Sequence, residues 1–301
     1  MIIRIGTRGS KLALAQTNYV IEKLKERFPE HEYRVVVIKT TGDLDLNRPL
    51  DAIGSKGIFV DEIEKELLSG EIQMAVHSMK DMPSGVTEGL VFSKAWKRED
   101  PRDVLVLKGA ASLKDLKQGA NIATGSKRRS YQLLKLRPDL NICPIRGNID
   151  TRLRRLQEGL PDGTQLDGIV IAAAGLKRLE LADHISEYLS PDDMIPAPAQ
   201  GTLAIELAAK NTELLEMVNS LSDKETDEAV CLERSFLKEI GGDCHLPVGA
   251  YADRSDEGWS LYALFGNEDG SRLARTVVRA KEASSELVES AVKEIKSLLN
   301  N

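Results

Sequence analysis

Residues 2–40 read IIRIGTRGSKLALAQTNYVIEKLKERFPEHEYRVVVIKT, and this stretch decides the fold class. Ile2–Gly6 is a short apolar run typical of a strand, and the polar residues after it lead into a helix that Pro29 ends. One face of this helix carries Leu12, Gln16, Val20, Leu24 and Phe28. Tyr33–Thr40 is rich in β-branched residues and apolar throughout Val35–Ile38, which predicts a strand covered on both faces. A strand, a helix and a strand in this order predict a parallel crossover unit.

The alternation of strands and helices continues along the chain. A helix is predicted over residues 58–69 and a strand over residues 73–77. After a break at Asp100-Pro101-Arg102, a second set follows, with strands over 104–107, 120–123, 141–145 and 168–173 and helices over 128–136 and 149–158. A proline-rich segment, 190–198, precedes a last third with a helix over 227–239, strands over 248–252, 259–265 and 276–279, and a helix over 284–299. The fold class is therefore α/β, with two α/β domains and a small C-terminal antiparallel α+β domain.

Composition is typical of a soluble globular enzyme. The 301 residues suffice for two or three domains, and 42% hydrophobic with 29% charged residues exclude a disordered or fibrous chain. The first residues lack the apolar core of a signal peptide, and no apolar run is long enough to span a membrane. Three cysteines without C-x-x-C spacing predict thiols in a reducing compartment, and four histidines without paired spacing predict no metal site. We expect a cytoplasmic protein with no membrane partner.

Positive charge is concentrated in one part of an anionic chain. The net charge of −6 disfavours sequence-independent binding to nucleic acid. Basic residues nevertheless cluster at Lys127, Arg128, Arg129, Arg137, Arg146, Arg152, Arg154, Arg155, Lys177 and Arg178. A cationic pocket of this kind suits a small polyanion. A solvated helix face is the alternative for individual residues, above all for Arg154 and Arg155.

Four strand-to-loop junctions carry polar or basic residues, at the positions where open α/β sheets bind ligands. They are Thr7–Ser10, Ser78–Pro83, Thr124–Arg129 and Arg146–Arg152. Helix N-termini favour anions, and arginine binds carboxylates through two parallel hydrogen bonds. A single ligand with several carboxylates explains all four junctions. Asp81 is an acid among these basic junctions, which marks it as a candidate functional residue. Capping a helix or pairing with an arginine is the alternative role.

Cys244 lies in the turn Ile240-Gly241-Gly242-Asp243-Cys244-His245-Leu246-Pro247. The two glycines permit backbone conformations closed to other residues, and Pro247 prevents a helical continuation. Such a turn is suited to present a thiol that holds a ligand covalently. Packing in an interdomain turn is the alternative, because a free cysteine behaves as a small apolar residue.

Taken together, these motifs resemble those of the porphobilinogen deaminases (hydroxymethylbilane synthases), in the same order and over nearly the whole chain. The matching segments are Gly6–Gln16, Val76–Pro83, Arg146–Asn148 with Thr151–Arg152, Ala173–Arg178, and Glu233–Arg234 leading to Cys244. Agreement at five separated places is highly specific.

The resemblance implies a transferase of tetrapyrrole, porphyrin and heme biosynthesis. Members of this family join four porphobilinogen molecules head to tail into hydroxymethylbilane and release an ammonia at each step. By resemblance, Cys244 carries a dipyrromethane cofactor through a thioether, and Asp81 is the catalytic aspartate. Loss of ammonia leaves a cationic species that a fixed carboxylate stabilises, and surrounding arginines are expected to keep Asp81 ionised. Asp81 or a nearby donor also has an acid–base task, and the sequence does not divide these roles.

Other residues take binding roles by the same resemblance. The cofactor-binding positions, besides Cys244, are Ser78, Lys80, Thr124, Ser126, Arg128, Arg129, Arg146 and Gly147. The substrate-binding positions are Arg8, Ser10, Gln16, Lys56, Arg152, Arg178 and Gln200. Each pyrrole carries an acetate and a propionate, which accounts for the arginines. The segment Thr41–Gly57 resembles the family's mobile active-site loop, a lid over the growing chain.

The fold implied by the resemblance has three domains, the first two like a periplasmic binding protein with crossing strands. Residues 1–98 with 198–217 form domain 1, residues 99–197 form domain 2, and residues 218–301 form domain 3 with the Cys244 turn. Asp243, His245 and Lys127 depart from the family pattern. An acid beside Cys244 disfavours the thiolate, which bears on the rate of cofactor attachment more than on its site.

Two other classes of function are alternatives. A two-domain binding protein for a small carboxylate would use the same arginines. Such a protein has no need of a third domain with Cys244. A nucleic-acid binder that uses residues 127–129 conflicts with the net charge of −6 and with the lack of interleaved aromatic residues. We therefore expect a monomeric enzyme whose partner is the small-molecule substrate porphobilinogen.

Overall fold

The computed structural model describes residues 1–40, 60–242 and 246–300. The predicted loop Thr41–Gly57 with Lys56, and the three residues Asp243, Cys244 and His245, lie outside the described residues. The chain separates into two compact units, Met1–Arg98 with Thr202–Glu228, and Glu99–Gly201 with Ala229–Asn301. The division into three domains remains a prediction.

The helices and strands of the described residues follow one another as the sequence predicts over most of the chain. In chain order they are β1 (Ile2–Thr7), α1 (Lys11–Arg27), β2 (Glu32–Val37), α2 (Asp61–Ser69), β3 (Met74–Ser78), β4 (Leu90–Phe92), β5 (Asp103–Leu107), β6 (Asn121–Ala123), α3 (Lys127–Leu136), β7 (Asn141–Cys143), α4 (Ile149–Glu158), β8 (Gly168–Ala172), α5 (Ala173–Arg178), β9 (Glu187–Tyr188), β10 (Leu203–Ala208), α6 (Thr212–Asn219), α7 (Lys224–Ile240), β11 (Gly249–Ser255), β12 (Gly258–Gly266), β13 (Leu273–Ala280) and α8 (Ser285–Asn300). Short 3₁₀ helices span Met79–Asp81, Leu113–Asp115 and Ala182–His184.

The first unit is built on a five-stranded sheet in the order β2-β1-β3-β10-β4. Strand β1 is parallel to β2 and β3, so the predicted crossover of β1, α1 and β2 is confirmed. Strand β10 is antiparallel to β3 and β4. Helix α1 begins where the Ser10 hydroxyl accepts the N–H of Ala13 at 3.2 Å, and it buries Val20 and Leu24 against the sheet.

The prediction that the second strand is covered on both faces is wrong. Val35 and Val37 are 38% and 53% exposed, whereas Tyr33 is buried. Among the described residues, strand β2 lies at the edge of its sheet and pairs with β1 alone. A central strand of the same sheet, β10, is buried at every position. A β-branched run therefore predicts a strand but not its depth in the sheet.

The second unit contains a five-stranded sheet in the order β7-β6-β8-β5-β9. Strands β6, β7 and β8 are parallel, and β5 is antiparallel to β8 and β9. This order matches that of the first sheet, with β5 in the place of β10. The chain passes from the first unit to the second at Glu99, just before β5. It returns to the first unit at Thr202, just before β10. The predicted α/β class with crossing strands is confirmed.

The remainder of the second unit is the predicted antiparallel α+β part. Strands β11, β12 and β13 form an antiparallel sheet in sequence order. Helices α7 and α8 pack on it, and the shared core includes Phe236, Trp259, Leu261, Val288 and Ile295. Helix α7 ends at Ile240, before residues 243–245, and strand β11 begins at Gly249, after them.

Candidate active site

In the first unit, two of the predicted junctions leave the sheet at the same edge. Strands β1 and β3 are parallel neighbours, so the residues after them meet at their carboxyl ends. Arg8 and Ser10 follow β1, and Lys80 and Asp81 follow β3. Gln16 on α1 donates from Nε2 to the Ser78 hydroxyl at 2.9 Å, which joins the helix to the end of β3.

Asp81 lies on a short turn that is anchored on both sides. It ends the 3₁₀ helix Met79–Asp81, and its side chain is exposed. Met79 and Met82 are 5% and 2% exposed, and the N–H of Met79 donates to the carbonyl of Thr202 at 3.0 Å. Asp81 therefore does not cap the start of a helix, and its carboxylate is presented to solvent from a fixed backbone.

A buried polar pair lies beside this turn, and no pattern in the sequence predicts it. His77 Nε2 is 3.1 Å from Glu206 Oε2, and the two side chains are 6% and 1% exposed. His77 ends the buried part of β3 directly before Ser78, and Glu206 lies on β10. The pair therefore links β3, which leads into the Asp81 turn, to β10.

In the second unit, the carboxyl ends of three parallel strands lie at the same end of the sheet, and the remaining junctions follow these strands. Thr124 and Ser126 follow β6, Arg146 and Gly147 follow β7, and helix α5 with Arg178 follows β8. A Cβ on Gly125 would lie 2.8 Å from the carbonyl oxygen of Ile145. The loops after β6 and β7 therefore approach each other so closely at this position that a glycine is needed.

Hydroxyls and a glycine shape these loops. The Thr124 hydroxyl accepts the N–H of Ser126 at 3.2 Å, and the Ser126 hydroxyl caps α3 by accepting the N–H of Arg129 at 3.4 Å. Gly147 has a φ of 101°, which favours glycine, and its carbonyl accepts Nε of Arg152 at 2.9 Å. Arg146 is exposed and Arg152 is half-buried.

Arg128 and Arg129 are buried and share one carboxylate. Nη1 of Arg128 donates to Oδ2 of Asp103 at 2.7 Å, and Nε and Nη2 of Arg129 donate to Oδ1 at 2.9 and 2.7 Å. The side chains of Arg128 and Arg129 are 5% and 8% exposed, and the Asp103 side chain is 0% exposed. Gln200 donates from Nε2 to the same Oδ1 at 3.0 Å and to the carbonyl of Pro101 at 2.7 Å.

This cluster carries more positive than negative charge. Two guanidiniums face one carboxylate, which leaves one positive charge in excess among the three side chains. Burial lowers the pKa of Arg128, the neighbouring Arg129 lowers it further, and Asp103 opposes both effects. The guanidiniums also donate to backbone carbonyls, Arg128 to Ile195 at 2.6 Å and Arg129 to Val170 at 3.2 Å, and these contacts partly offset the cost of burying the charge.

The other predicted residues are placed as follows. Arg178 donates from Nη2 to the carbonyl of Gly201 at 2.6 Å, next to Gln200. Lys56 and Cys244 lie outside the described residues. Lys127, which departs from the family pattern, makes an ion pair with Glu268 at 2.9 Å, and the Tyr131 hydroxyl donates to the carbonyl of the same residue at 2.8 Å. The ion pair of Lys127 therefore links the start of α3 to the turn after β12.

Asp103 is the site residue that sequence reasoning missed. It stands between the break Asp100-Pro101-Arg102 and the strand predicted over residues 104–107, so neither prediction includes it. An acid that begins a strand of four apolar residues was the available signal, because a carboxylate at the start of a buried strand needs partners.

Comparison with known proteins decides the family. The family model described as "Porphobilinogen deaminase, dipyromethane cofactor binding domain" matches residues 3–216, and "Porphobilinogen deaminase, C-terminal domain" matches residues 228–297. The chain belongs to the porphobilinogen deaminase family. The porphobilinogen deaminase of Lachnospira eligens is 54% identical, covering 95% of this chain and 96% of the relative. That of Clostridioides difficile is 50% identical, covering 91% of this chain and 89% of the relative.

Family membership confirms the enzyme class, the activity and the cofactor predicted from the sequence: the chain is a transferase that polymerises porphobilinogen in tetrapyrrole biosynthesis and uses a dipyrromethane. Among solved structures, a nutrient binding protein from Burkholderia cenocepacia bound to methionine is 16% identical with a TM-score of 0.46, covering 79% of this chain and 95% of that one. In the described part of the chain, no helix has the length and apolar character that a membrane crossing requires.

Proposed function

We propose that the chain condenses four porphobilinogen molecules head to tail into hydroxymethylbilane, on a dipyrromethane attached to Cys244 through a thioether. The observation that supports this most strongly is the excess positive charge of Arg128 and Arg129 over Asp103. The cluster lies after β6, at the carboxyl end of a parallel strand, where ligands of open α/β sheets bind. A ligand with several carboxylates suits this charge.

The donors of the second unit fit the cofactor. Guanidiniums, hydroxyls and a glycine backbone suit a group whose side chains are carboxylates. We assign its binding to Thr124, Ser126, Arg128, Arg129, Arg146 and Gly147, together with Ser78 and Lys80 of the first unit. When bound, the dipyrromethane supplies the pyrrole carbon to which the first substrate molecule is joined.

Asp81 is assigned the catalytic role. Positive charge develops on a pyrrole as ammonia leaves its aminomethyl group, and a carboxylate held in place stabilises that charge. The exposed Asp81 carboxylate on a turn anchored by Met79 and Met82 suits this task. Ammonia takes up a proton as it leaves, and Asp81 or a neighbouring donor supplies it.

Substrate carboxylates are assigned to a second set of residues, namely Arg8, Ser10, Gln16, Lys56, Arg152, Arg178 and Gln200. The Ser10 hydroxyl accepts a helix N–H, which leaves its own O–H to donate to a ligand. Arg152 and Arg178 each bond a backbone carbonyl, and that contact orients the guanidinium. Arginine is suited to this role because its planar donors match a carboxylate.

The proposed setting is a cytoplasmic monomer that binds neither nucleic acid nor membranes. The three cysteines lack the spacing of a disulfide framework, and the net charge is −6. Both features suit a reducing compartment and a small-molecule substrate.

Intact mass spectrometry with site mapping tests the proposal. We expect the purified protein to carry a mass increment of one dipyrromethane on Cys244, and the variant C244S to carry none and to release no ammonia from porphobilinogen. The variants C143S and C231S are matched controls, because they remove the other two thiols of the chain, and they should keep the increment. An increment on Cys143 or Cys231, or active protein without any increment, refutes attachment at Cys244.

A further inference from the structure

Gln132 lies on α3 one turn after Arg128, and it is 3% exposed. Its amide holds both polar groups of the Ile195 backbone: Oε1 accepts the N–H of Ile195 at 2.8 Å, and Nε2 donates to the carbonyl of the same residue at 3.2 Å. Nε2 also donates to the carbonyl of Arg128 at 3.1 Å. Because buried polar groups need partners, these contacts fix the amide and the Ile195 backbone together.

The carbonyl that Gln132 holds is also an acceptor for Arg128. Nη1 of Arg128 donates to the carbonyl of Ile195 at 2.6 Å and to Oδ2 of Asp103 at 2.7 Å. A guanidinium is planar and its donors have a fixed arrangement, so two acceptors on one nitrogen set the direction of the whole group. The position of the Ile195 carbonyl therefore helps to decide where the other donors of Arg128 point.

These other donors belong to Nε and Nη2. Within the described residues, the guanidinium of Arg128 makes its hydrogen bonds through Nη1 alone. The Nε and Nη2 hydrogens lie side by side, which is the arrangement that binds both oxygens of a carboxylate. They are therefore the donors that suit the carboxylates of the cofactor to which Arg128 is assigned.

The backbone after Ile195 is anchored by the α+β part of the same unit. The carbonyl of Pro196 accepts the N–H of Ala250 on β11 at 3.0 Å, and Oε2 of Glu233 on α7 accepts the N–H of Ala199 at 2.6 Å. Both contacts are backbone hydrogen bonds that a change on α3 leaves in place. The amide from α3 thus orients the Ile195 peptide groups against a segment that is already held.

We propose that Gln132 is a positioning residue for the cofactor: by fixing the Ile195 carbonyl, it sets the direction of the Nε and Nη2 donors with which Arg128 binds a carboxylate of the dipyrromethane. The inference rests on the proposed assignment of Arg128 to the cofactor. Gln132→Met keeps an unbranched side chain of similar length but removes the amide. Gln132→Asn keeps the amide on a side chain that is one methylene shorter.

The test follows the rate at which the cofactor is attached. Full-length apoprotein is incubated with porphobilinogen, and intact mass is recorded against time for the wild type, Gln132→Met, Gln132→Asn and the control Leu133→Val. Leu133 is fully buried on the same helix, and its shortening destabilises the core without removing a hydrogen bond of Gln132. Unfolding midpoints are measured for each protein, and attachment is followed well below the lowest midpoint.

A second background separates positioning from a general structural role. Arg128→Lys keeps the positive charge but removes the planar set of donors. If Gln132 acts through Arg128, its substitution has little left to disturb in this background, whereas independent effects of the two substitutions multiply. Gln132→Met is therefore also measured together with Arg128→Lys.

We expect attachment to slow about tenfold or more in Gln132→Met and in Arg128→Lys, to slow less in Gln132→Asn, and to keep the wild-type rate in Leu133→Val. Gln132→Met added to Arg128→Lys should slow it by less than about twofold further.

The proposal is overturned by a wild-type rate in Gln132→Met or in Arg128→Lys, by losses that multiply in the double variant, or by an equal loss in Leu133→Val. Where Gln132→Met does not fold, Gln132→Asn decides by the same criteria. A wild-type protein that gains no dipyrromethane refutes the proposed function itself, before any variant is compared.

Discussion

The two five-stranded sheets share one strand order, yet the edges that carry the predicted site residues differ in burial and charge. The first presents Asp81 exposed to solvent on an anchored turn. The second holds Arg128 and Arg129 buried against Asp103. Identical topology is therefore compatible with different roles for the two sets of residues, because in such folds loops carry function while the sheet supplies their position. We infer that the exposed acid performs chemistry and that the buried arginines hold the ligand.

The largest expected effect is on stability, at the buried edge. Asp103→Asn removes the countercharge of two buried guanidiniums and should destabilise the second unit by about 3–5 kcal/mol, the cost of breaking a buried ion pair. Trp96 belongs to the first unit and Trp259 to the second, and the chain has 2 tryptophans. Urea unfolding by fluorescence in a Trp96→Phe background therefore reports the second unit alone.

Asp139→Asn is the matched control for this measurement. Asp139 pairs with Arg137 in the same unit, but the two side chains are 27% and 22% exposed, so the loss should stay near 1 kcal/mol or below. Equal losses in the two variants would mean that burial does not distinguish the Asp103 cluster.

The next effect is on turnover, at the exposed edge. Asp81→Asn should lower kcat by about 10²–10³-fold or more, because it removes the charge that stabilises the developing cation. The unfolding midpoint and the cofactor adduct should not change, since the side chain is exposed. Steady-state ammonia release measures kcat, intact mass measures the adduct, and urea unfolding measures the midpoint. Glu88→Gln, an exposed acid of the same unit, should leave kcat unaltered; near-normal turnover in Asp81→Asn would remove this residue from the mechanism.

A smaller effect is expected at Arg146, an exposed arginine of the second edge. Arg146→Ala loses a charge-assisted hydrogen bond to a carboxylate, worth about 1.5–3 kcal/mol, so cofactor retention or KM should worsen by about ten- to a hundredfold. Arg154→Ala is the comparison, because Arg154 is 58% exposed and pairs with Glu158 on its own helix. If the two variants behave alike in steady-state kinetics, Arg146 has no carboxylate to bind.

The two helix caps test whether equivalent positions of the two sheets carry equal weight. Ser10 and Ser126 each accept an N–H in the first turn of the helix that follows β1 or β6. Ser10→Ala and Ser126→Ala should each cost about 1 kcal/mol. Unfolding midpoints measure this loss. A KM that rises for one variant but not the other would show which hydroxyl also touches the substrate.

The smallest effect is expected at Lys127. Its pair with Glu268 is partly exposed, with the two side chains 32% and 71% exposed, and such pairs contribute about 0–1 kcal/mol. Lys127→Met, which restores the apolar character usual in the family, should leave kcat and KM unaltered and shift the unfolding midpoint slightly. A large loss of activity in this variant would assign Lys127 to the site.

Much of the fold was predictable because local patterns carried it. Apolar runs and helical repeats located β1, α1, β3, α3, α4, α7 and α8 to within a few residues. Four short or atypical elements, namely β4, β9, α5 and α6, were missed, and so was β10. Strand β10 contains Glu206, whose charge interrupts the apolar run; its partner His77 lies on β3, far away in sequence. A long-range partner is not visible in a local pattern.

The candidate site shows the same division. The sequence indicated which residue types gather at the junctions, because a ligand with several carboxylates calls for arginines after parallel strands. It did not show that Asp103 holds two of these arginines, or that Glu233 holds Ala199 and Ala252. Both acids look like ordinary charged residues until the fold buries them.

The sequence by itself determined the family, the reaction and the residues to examine, since these depend on the types and order of side chains along the chain. Only the tertiary structure decided which charges are buried, which face solvent and which share a partner. Burial and pairing arise when distant segments meet, and they set how strongly a charge acts, because an interior with few waters screens it poorly. Asp81 and Asp103 are the same residue type, and their surroundings alone make one exposed and the other a buried support.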